Sequence, residues 1–166
     1  SVQASIYLEP YAGYGFATTR VKLTGTYQGS AFNDIDESNS DNAAFFGGKL
    51  GYAIPFFATG VDYLNTEGQA DIGPFLEFRL PLFLKLRATY IMSSTAEEEE
   101  NGFKFSGTGF KVGFAFSLFA NLTLNIDYFS TKYDKEKGSV SGFDLDKIDI
   151  NQSGVLASLG FPIEFL

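Results

Sequence analysis

The sequence predicts an all-β chain: an eight-stranded antiparallel up-and-down transmembrane β-barrel with short turns at one end and long loops at the other. Three observations carry that expectation. Apolar residues alternate with small or polar ones through segments of about ten residues, the pattern of strands whose two faces meet unlike surroundings. The connections between segments alternate short and long. The face opposite the apolar one is built from Gly, Ala, Ser and Thr with a few charges of both signs, where a water-facing sheet would carry Lys, Glu, Gln and Asn.

Composition sets the frame. A chain of 166 residues makes a single domain, 1–166. It holds 19 Phe, 9 Tyr and 18 Gly, with one Met and no Trp, His or Cys. Aromatics suit pleated surfaces and frequent Gly breaks helices, so the bias is towards strands. The net charge of −8 argues against a nucleic-acid partner, which needs a basic surface. Without cysteine there is no disulfide framework. No apolar run approaches the roughly 18 to 20 residues of a spanning helix, so a crossing of a membrane has to be made by strands. Ser1-Val2-Gln3-Ala4 carries no charged segment followed by an apolar one. The expectation is a chain never exported or one whose signal peptide is already removed.

The elements follow in order. Ser5 to Ala17 sets Leu8, Pro10, Ala12, Tyr14 and Phe16 against Glu9, Tyr11, Gly13 and Gly15. Ala43 to Ile54 sets Phe46, Leu50, Tyr52 and Ile54 against Lys49, Gly51 and Ala53. Phe57 to Asn65 opposes Val61 and Tyr63 to Gly60 and Asp62. Ile72 to Leu80 opposes Leu76, Phe78 and Leu80 to Glu77 and Arg79. Leu82 to Met92 opposes Leu82, Leu84, Leu86, Ala88 and Tyr90 to Lys85, Arg87 and Thr89. Phe103 to Leu118 opposes Phe110, Val112, Phe114, Phe116 and Leu118 to Gly107, Gly109, Lys111, Gly113 and Ser117. Leu122 to Ser130 opposes Leu124, Ile126 and Tyr128 to Thr123, Asn125 and Asp127. Asp149 to Phe165 opposes Val155, Leu159, Phe161, Ile163 and Phe165 to Gly154, Ser158, Gly160 and Glu164.

Short connections fall at Pro55-Phe56, Pro81 and Phe119-Ala120-Asn121. The others are long and polar: Thr18 to Asn42, Thr66 to Asp71, Ser93 to Asn101 and Thr131 to Ile148. In an up-and-down barrel every second connection shares an end, and membrane barrels trim one end while elaborating the other.

The polar face is expected inside. Glu9, Asp62, Glu77, Asp127 and Glu164 stand against Lys49, Arg79, Lys85, Arg87 and Lys111, a balanced set that a narrow lumen can hold as paired ions. Lys104 shares the phase of Phe110 but lies near a loop, where it can snorkel to the headgroups. Phe56, Phe57, Phe83 and Phe119 cluster at the short turns as an interfacial girdle. Glycines 13, 15, 107, 109 and 113 leave space on the inner face, which keeps a narrow channel or transporter open as an alternative. A soluble lipocalin-like barrel binding an apolar ligand is a further alternative.

Little points to catalysis. Without His or Cys, Ser–His pairs, His-ligated metals and thiolate zinc are excluded. Glu9, Glu77 and Asp127 sit among bases that hold them ionised, which suits a structural network better than an acid catalyst. Asp34, Asp36 and Ser38 begin like a calcium loop, but Asn39 and Phe45 occupy the Gly and Glu positions, so the motif fails. Glu97 to Glu100 can gather divalent ions, although a solvated acidic loop is the commoner outcome. No enzyme activity, cofactor or metal site is expected.

With the terminal strand Leu159, Phe161, Ile163, Phe165 and the opening Tyr11-Ala12-Gly13-Tyr14-Gly15-Phe16 in view, the whole chain resembles the small bacterial outer-membrane barrels of the OmpA transmembrane-domain and OmpX type. The resemblance implies an integral place in the outer membrane of a Gram-negative cell envelope, in contact with lipid and lipopolysaccharide. It also implies that the barrel-assembly machinery reads Leu159, Phe161, Ile163 and Phe165, with Leu166 departing from a strictly terminal aromatic. The role it implies is structural or surface-interactive, through extracellular loops that meet a surface ligand.

Overall fold

The computed structural model describes the backbone of residues 3–27, 30–98, 103–119, 121–135, 138–140 and 143–165, and the side chains of those residues outside 23–36, 97–104 and 134–148. The strands are β1 (Ser5–Tyr27), β2 (Ser30–Ile54), β3 (Phe57–Thr66), β4 (Gln69–Arg79), β5 (Leu84–Glu98), β6 (Phe103–Phe119), β7 (Leu122–Lys135), β8 (Gly138–Val140), β9 (Phe143–Gly160) and β10 (Ile163–Phe165). Strands β1 to β7 and β9 pair antiparallel in sequence order, and β9 returns to β1, closing an eight-stranded barrel. Strand β10 continues the line of β9 along β1 beyond Phe161 and Pro162, while β8 pairs only with the start of β9. Closure gives every spanning strand two neighbours, which satisfies the backbone where water is absent.

The alternation works as the fold requires. Ile6, Leu8, Tyr14 and Phe16 of β1 point outward, and so do Leu50, Tyr52, Leu76, Phe78, Phe114, Phe116 and Leu159 on other strands. Glu9, Lys49, Asp62, Glu77, Arg87, Lys111 and Asp127 are buried. The molecule is therefore apolar outside and ionic inside, the inverse of a soluble barrel. From Ile6 to Phe16 the belt runs roughly 33 Å along the strand, which a tilt of about 40° reduces to about 25 Å, the height of a membrane barrel's apolar band.

Two expectations are corrected. The segments expected as long loops are largely strand. Thr18 to Asn42 is taken up by β1 and β2, which stay paired to Tyr27↔Ser30, and β9 follows β1 to Tyr27↔Phe143. Ser93 to Asn101 and Thr131 to Ile148 likewise carry the ends of β5, β7 and β9, and Thr66 to Asp71 narrows to a turn at Glu67-Gly68. Polar side chains on both faces erase the period-two signal, but the backbone ladder does not depend on it. The second correction concerns Leu82, which continues the apolar phase of β5 yet lies in the turn before it. Leu82 and Phe83 have φ of 68° and 64°, the left-handed pair of a tight hairpin.

The barrel wall has unequal heights. The β2–β3 ladder ends at Phe45↔Thr66. Above it, among the described residues, β2 pairs only with β1, so its edge is open from Ala44 to Ser30, roughly 45 Å of strand at about 3.3 Å per residue. Strands β9, β1 and β2 thus project as a sheet above a low β3–β4 rim.

Candidate functional site

Of the ten expected lumen ions, seven are buried, Arg79 and Lys85 are half-buried and Glu164 is exposed, and their geometry follows from strand register. Lys49↔Asp62, Glu9↔Lys49, Glu77↔Arg87 and Gly113↔Asp127 are cross-strand partners, which sets the ions in layers across a narrow interior. Uppermost, Lys111 Nζ lies 2.6 Å from Asp62 Oδ2, which also accepts from Thr89 Oγ1 at 2.9 Å, while Tyr11 OH donates to Asp62 Oδ1 at 2.7 Å. Lys49 Nζ sits 4.5 Å from the centre of the Tyr11 ring and 3.7 Å from Glu9 Oε1.

Arg87 holds the middle layer. Its Nη1 lies 3.2 Å from Glu9 Oε1 and donates to Asn125 Oδ1 at 2.9 Å, and its Nη2 reaches Asp127 Oδ2 at 3.3 Å. Glu9 accepts further bonds from Asn125 Nδ2, Thr123 Oγ1 and Tyr7 OH. Below, Glu77 Oε1 meets Arg79 Nε at 3.2 Å and Lys85 Nζ at 3.7 Å. Arg79 Nη2 reaches Glu164 Oε1 at 2.6 Å. Glu164 is 41 % exposed, so it stands at the short-turn mouth, outside the buried set. Each buried ion of this network has a partner of opposite sign, the condition for keeping charge away from water.

Several interior residues look like belt residues by type. Tyr11, Phe45, Leu64, Phe129 and Leu156 form one buried cluster, and Tyr7, Ala53, Ala58 and Phe75 another. These aromatics are the same residue types as the belt, and only their phase with Lys49, Asp127 and Glu77 reveals that they point inward. Asp71 also belongs inside. It is 8 % exposed, accepts from Gln69 Nε2 and Ser94 Oγ, and lies in a segment expected as loop.

Backbone stands closest to the inner face of Gly13, Gly107, Gly109 and Gly113, whereas Gly15 meets the Leu156 side chain beside a cavity in the lumen. A Cβ on Gly13 would stand 2.0 Å from Ala157 O, and one on Gly113 would stand 2.2 Å from Ile126 O. Both glycines permit close strand approach.

Phe56, Phe83 and Phe119 are 75 %, 75 % and 76 % exposed at the short-turn end, and Phe57 beside them packs its ring against Phe78. Leu159, Phe161, Ile163 and Phe165 all face outward on the closing strands. The side chains of Asp34, Asp36, Lys104 and Glu97 to Glu100 lie outside the described residues.

No protein-family model matches the chain, and no curated protein matches it. Among solved structures, Neisserial surface protein A is similar at 14 % identity and TM-score 0.51, covering 96 % of this chain and 98 % of that one. Ail, the attachment invasion locus protein of Yersinia pestis solved with the heparin analogue sucrose octasulfate, is 11 % identical with TM-score 0.45, over 93 % and 99 % of the two chains. The outer membrane protein OprG from Pseudomonas aeruginosa is 11 % identical with TM-score 0.43, over 93 % and 95 %. The fold, an apolar belt around an ionic interior, is that of the small eight-stranded outer-membrane β-barrels.

Proposed function

We propose that the chain is an integral outer-membrane barrel with a surface-interaction role, its lumen plugged by the ion network and its contacts made by the projecting β1–β2–β9 sheet. The observation that carries this reading is the free edge of β2 from Ala44 to Ser30. A wall that rises far above the belt adds nothing to anchoring. An unpaired edge offers a row of N–H and C=O groups to an extended partner segment. The paired ions support a closed lumen, since an eight-stranded interior is filled by side chains.

The test compares cells displaying the intact barrel with cells displaying a version in which residues 19–39 are replaced by Asn-Gly. This joins the register partners Thr18 and Ser40 by a tight hairpin. Both versions are expected to show heat-modifiable mobility on unboiled gels. Binding to a panel of immobilised extracellular proteins is expected to be lost with the projecting sheet. Equal binding by both removes the surface role, and discrete single-channel openings of the intact barrel in planar bilayers replace it with the channel reading.

A further inference from the structure

The outer half of the lumen holds a cavity of about 150 Å³ above the ion network. Its walls are apolar: Phe45, Leu64, Ile91, Phe129 and Leu156, all buried. Its floor is the Lys111–Asp62 pair with Thr89. It also meets Thr66 and Glu67, at the low β3–β4 rim where the wall is shortest, and the acids lining it above the floor are Asp41, Glu67 and Asp71. A cavity of this volume accommodates a molecule as large as benzene.

The charge around the cavity is unbalanced. Lys49, Arg79, Lys85, Arg87 and Lys111 are each engaged by Glu9, Glu77, Glu164, Asp127 or Asp62. Asp71 is 8 % exposed, and among the described residues no Lys or Arg forms an ion pair with it. Its Oδ1 takes the hydrogen bond of Ser94 and the nearer contact of Gln69 at 3.1 Å. Its Oδ2 has only Gln69 Nε2, at 3.4 Å. Ser94 is tied in turn to Tyr133 OH at 2.7 Å, so the carboxylate is held in place. A buried carboxylate without a base is costly, and a cation brought in from outside supplies the missing partner.

We propose that this vestibule is a binding site for a small organic cation: a compact, ring-sized apolar body lodged between Phe45, Leu64, Ile91, Phe129 and Leu156, carrying a protonated amine that donates to Asp71 Oδ2. The acids at Asp41 and Glu67 draw cations to the rim and repel anions. The site needs the closed floor at Lys111–Asp62 but is independent of any role for the projecting sheet.

The test uses the full barrel in phospholipid nanodiscs and three probes that share one ring: benzylammonium, benzyl alcohol and benzoate. Protein-observed NMR follows the methyl groups of Ile91 and Leu64, which separates cavity binding from partition into lipid. Benzylammonium is expected to give saturable shifts at both residues, with a Kd at least tenfold below that of benzyl alcohol, and benzoate none. Asp71→Asn keeps an acceptor for Ser94 and is expected to raise the benzylammonium Kd about tenfold. Ala17→Phe places a ring in the cavity and is expected to abolish the shifts while heat-modifiable mobility persists. Equal affinity for all three probes, an unchanged Kd in Asp71→Asn, or retained shifts in Ala17→Phe each overturn the proposal. Absence of saturable shifts in the parent barrel does so without any variant.

Discussion

Arg87 is the residue on which the interior depends most, and Arg87→Met tests that directly. Methionine keeps the unbranched stem but removes the guanidinium that bridges Glu9 and Asp127. Glu9 keeps Lys49 at 3.7 Å and the bonds of Asn125, Thr123 and Tyr7. Asp127 keeps no ion pair among the described residues, and it is only 4 % exposed. Removing one member of a buried pair costs about 3–5 kcal/mol, because a desolvated charge is stranded. With a urea dependence of about 2 kcal/mol per molar, the unfolding midpoint should fall by roughly 2 M. The assay is urea titration of the barrel refolded into vesicles, read as the fraction migrating at the folded position in unboiled samples and by tyrosine fluorescence. Asp127→Asn leaves Arg87 with Glu9, and this single change should cost about 1–3 kcal/mol. The double variant should be less destabilised than the sum of the singles by about 0.5–3 kcal/mol. A midpoint shift under roughly 0.5 M for Arg87→Met, or strict additivity in the double variant, refutes the account of the lumen as mutually dependent ion pairs.

Three other perturbations probe the outer face, the strand contacts and a turn. Phe114→Arg, in the middle of the β6 belt between Phe110 and Leu118, should cost about 2–4 kcal/mol, whereas Tyr63→Arg near the rim should cost about 1 kcal/mol or less; urea midpoints in vesicles decide it. Gly13→Val should block folding, since its Cβ meets the backbone of Ala157 and Ser158, while Gly48→Ala should fold normally because its Cβ meets only Glu9 O at 3.8 Å; refolding yield on unboiled gels distinguishes them. Replacing Leu82-Phe83 by Asn-Gly should raise the midpoint, because a left-handed conformation costs a side chain with a Cβ about 1–2 kcal/mol per residue.

The barrel itself is legible because a bilayer imposes a strict period-two code, and strands such as Leu84–Tyr90 and Phe110–Leu118 carry it without interruption. The same code assigns Lys49, Asp62, Glu77, Arg87 and Lys111 inward. It fails where the environment stops discriminating between faces. Above the belt both faces of β1 and β2 meet water, so Thr18, Thr19, Ser38 and Ser40 look like loop although their backbones are paired. It also weakens inside, where Phe45 and Phe75 resemble lipid-facing residues by type. In Phe45-Phe46 one ring points in and one out, and neighbour phase alone separates them. Asp71 escapes detection because it falls next to the Glu67-Gly68 turn, in a segment too polar to read as strand. The left-handed turn at Leu82-Phe83 is hidden by residues that rarely adopt that conformation.

Circularisation of the sheet joins strands that lie far apart in sequence. Strand β1 meets β9 and β10 from Tyr27↔Phe143 down to Ile6↔Phe165. At Pro10 this junction is under-bonded: Phe161 N donates to Pro10 O at 2.9 Å, and proline has no hydrogen to return. Adjacent hairpins such as β2–β3 and β6–β7 form from residues close in sequence, whereas the junction must gather in almost the entire chain before its first bond is made. Pairing of β1 with β9 and β10 therefore carries the largest loop-closure cost of any junction in the barrel. The missing proline hydrogen leaves the short-turn end of that junction one backbone bond short of an unbroken ladder, so the longest-range seam of the cylinder is also locally its weakest-bonded.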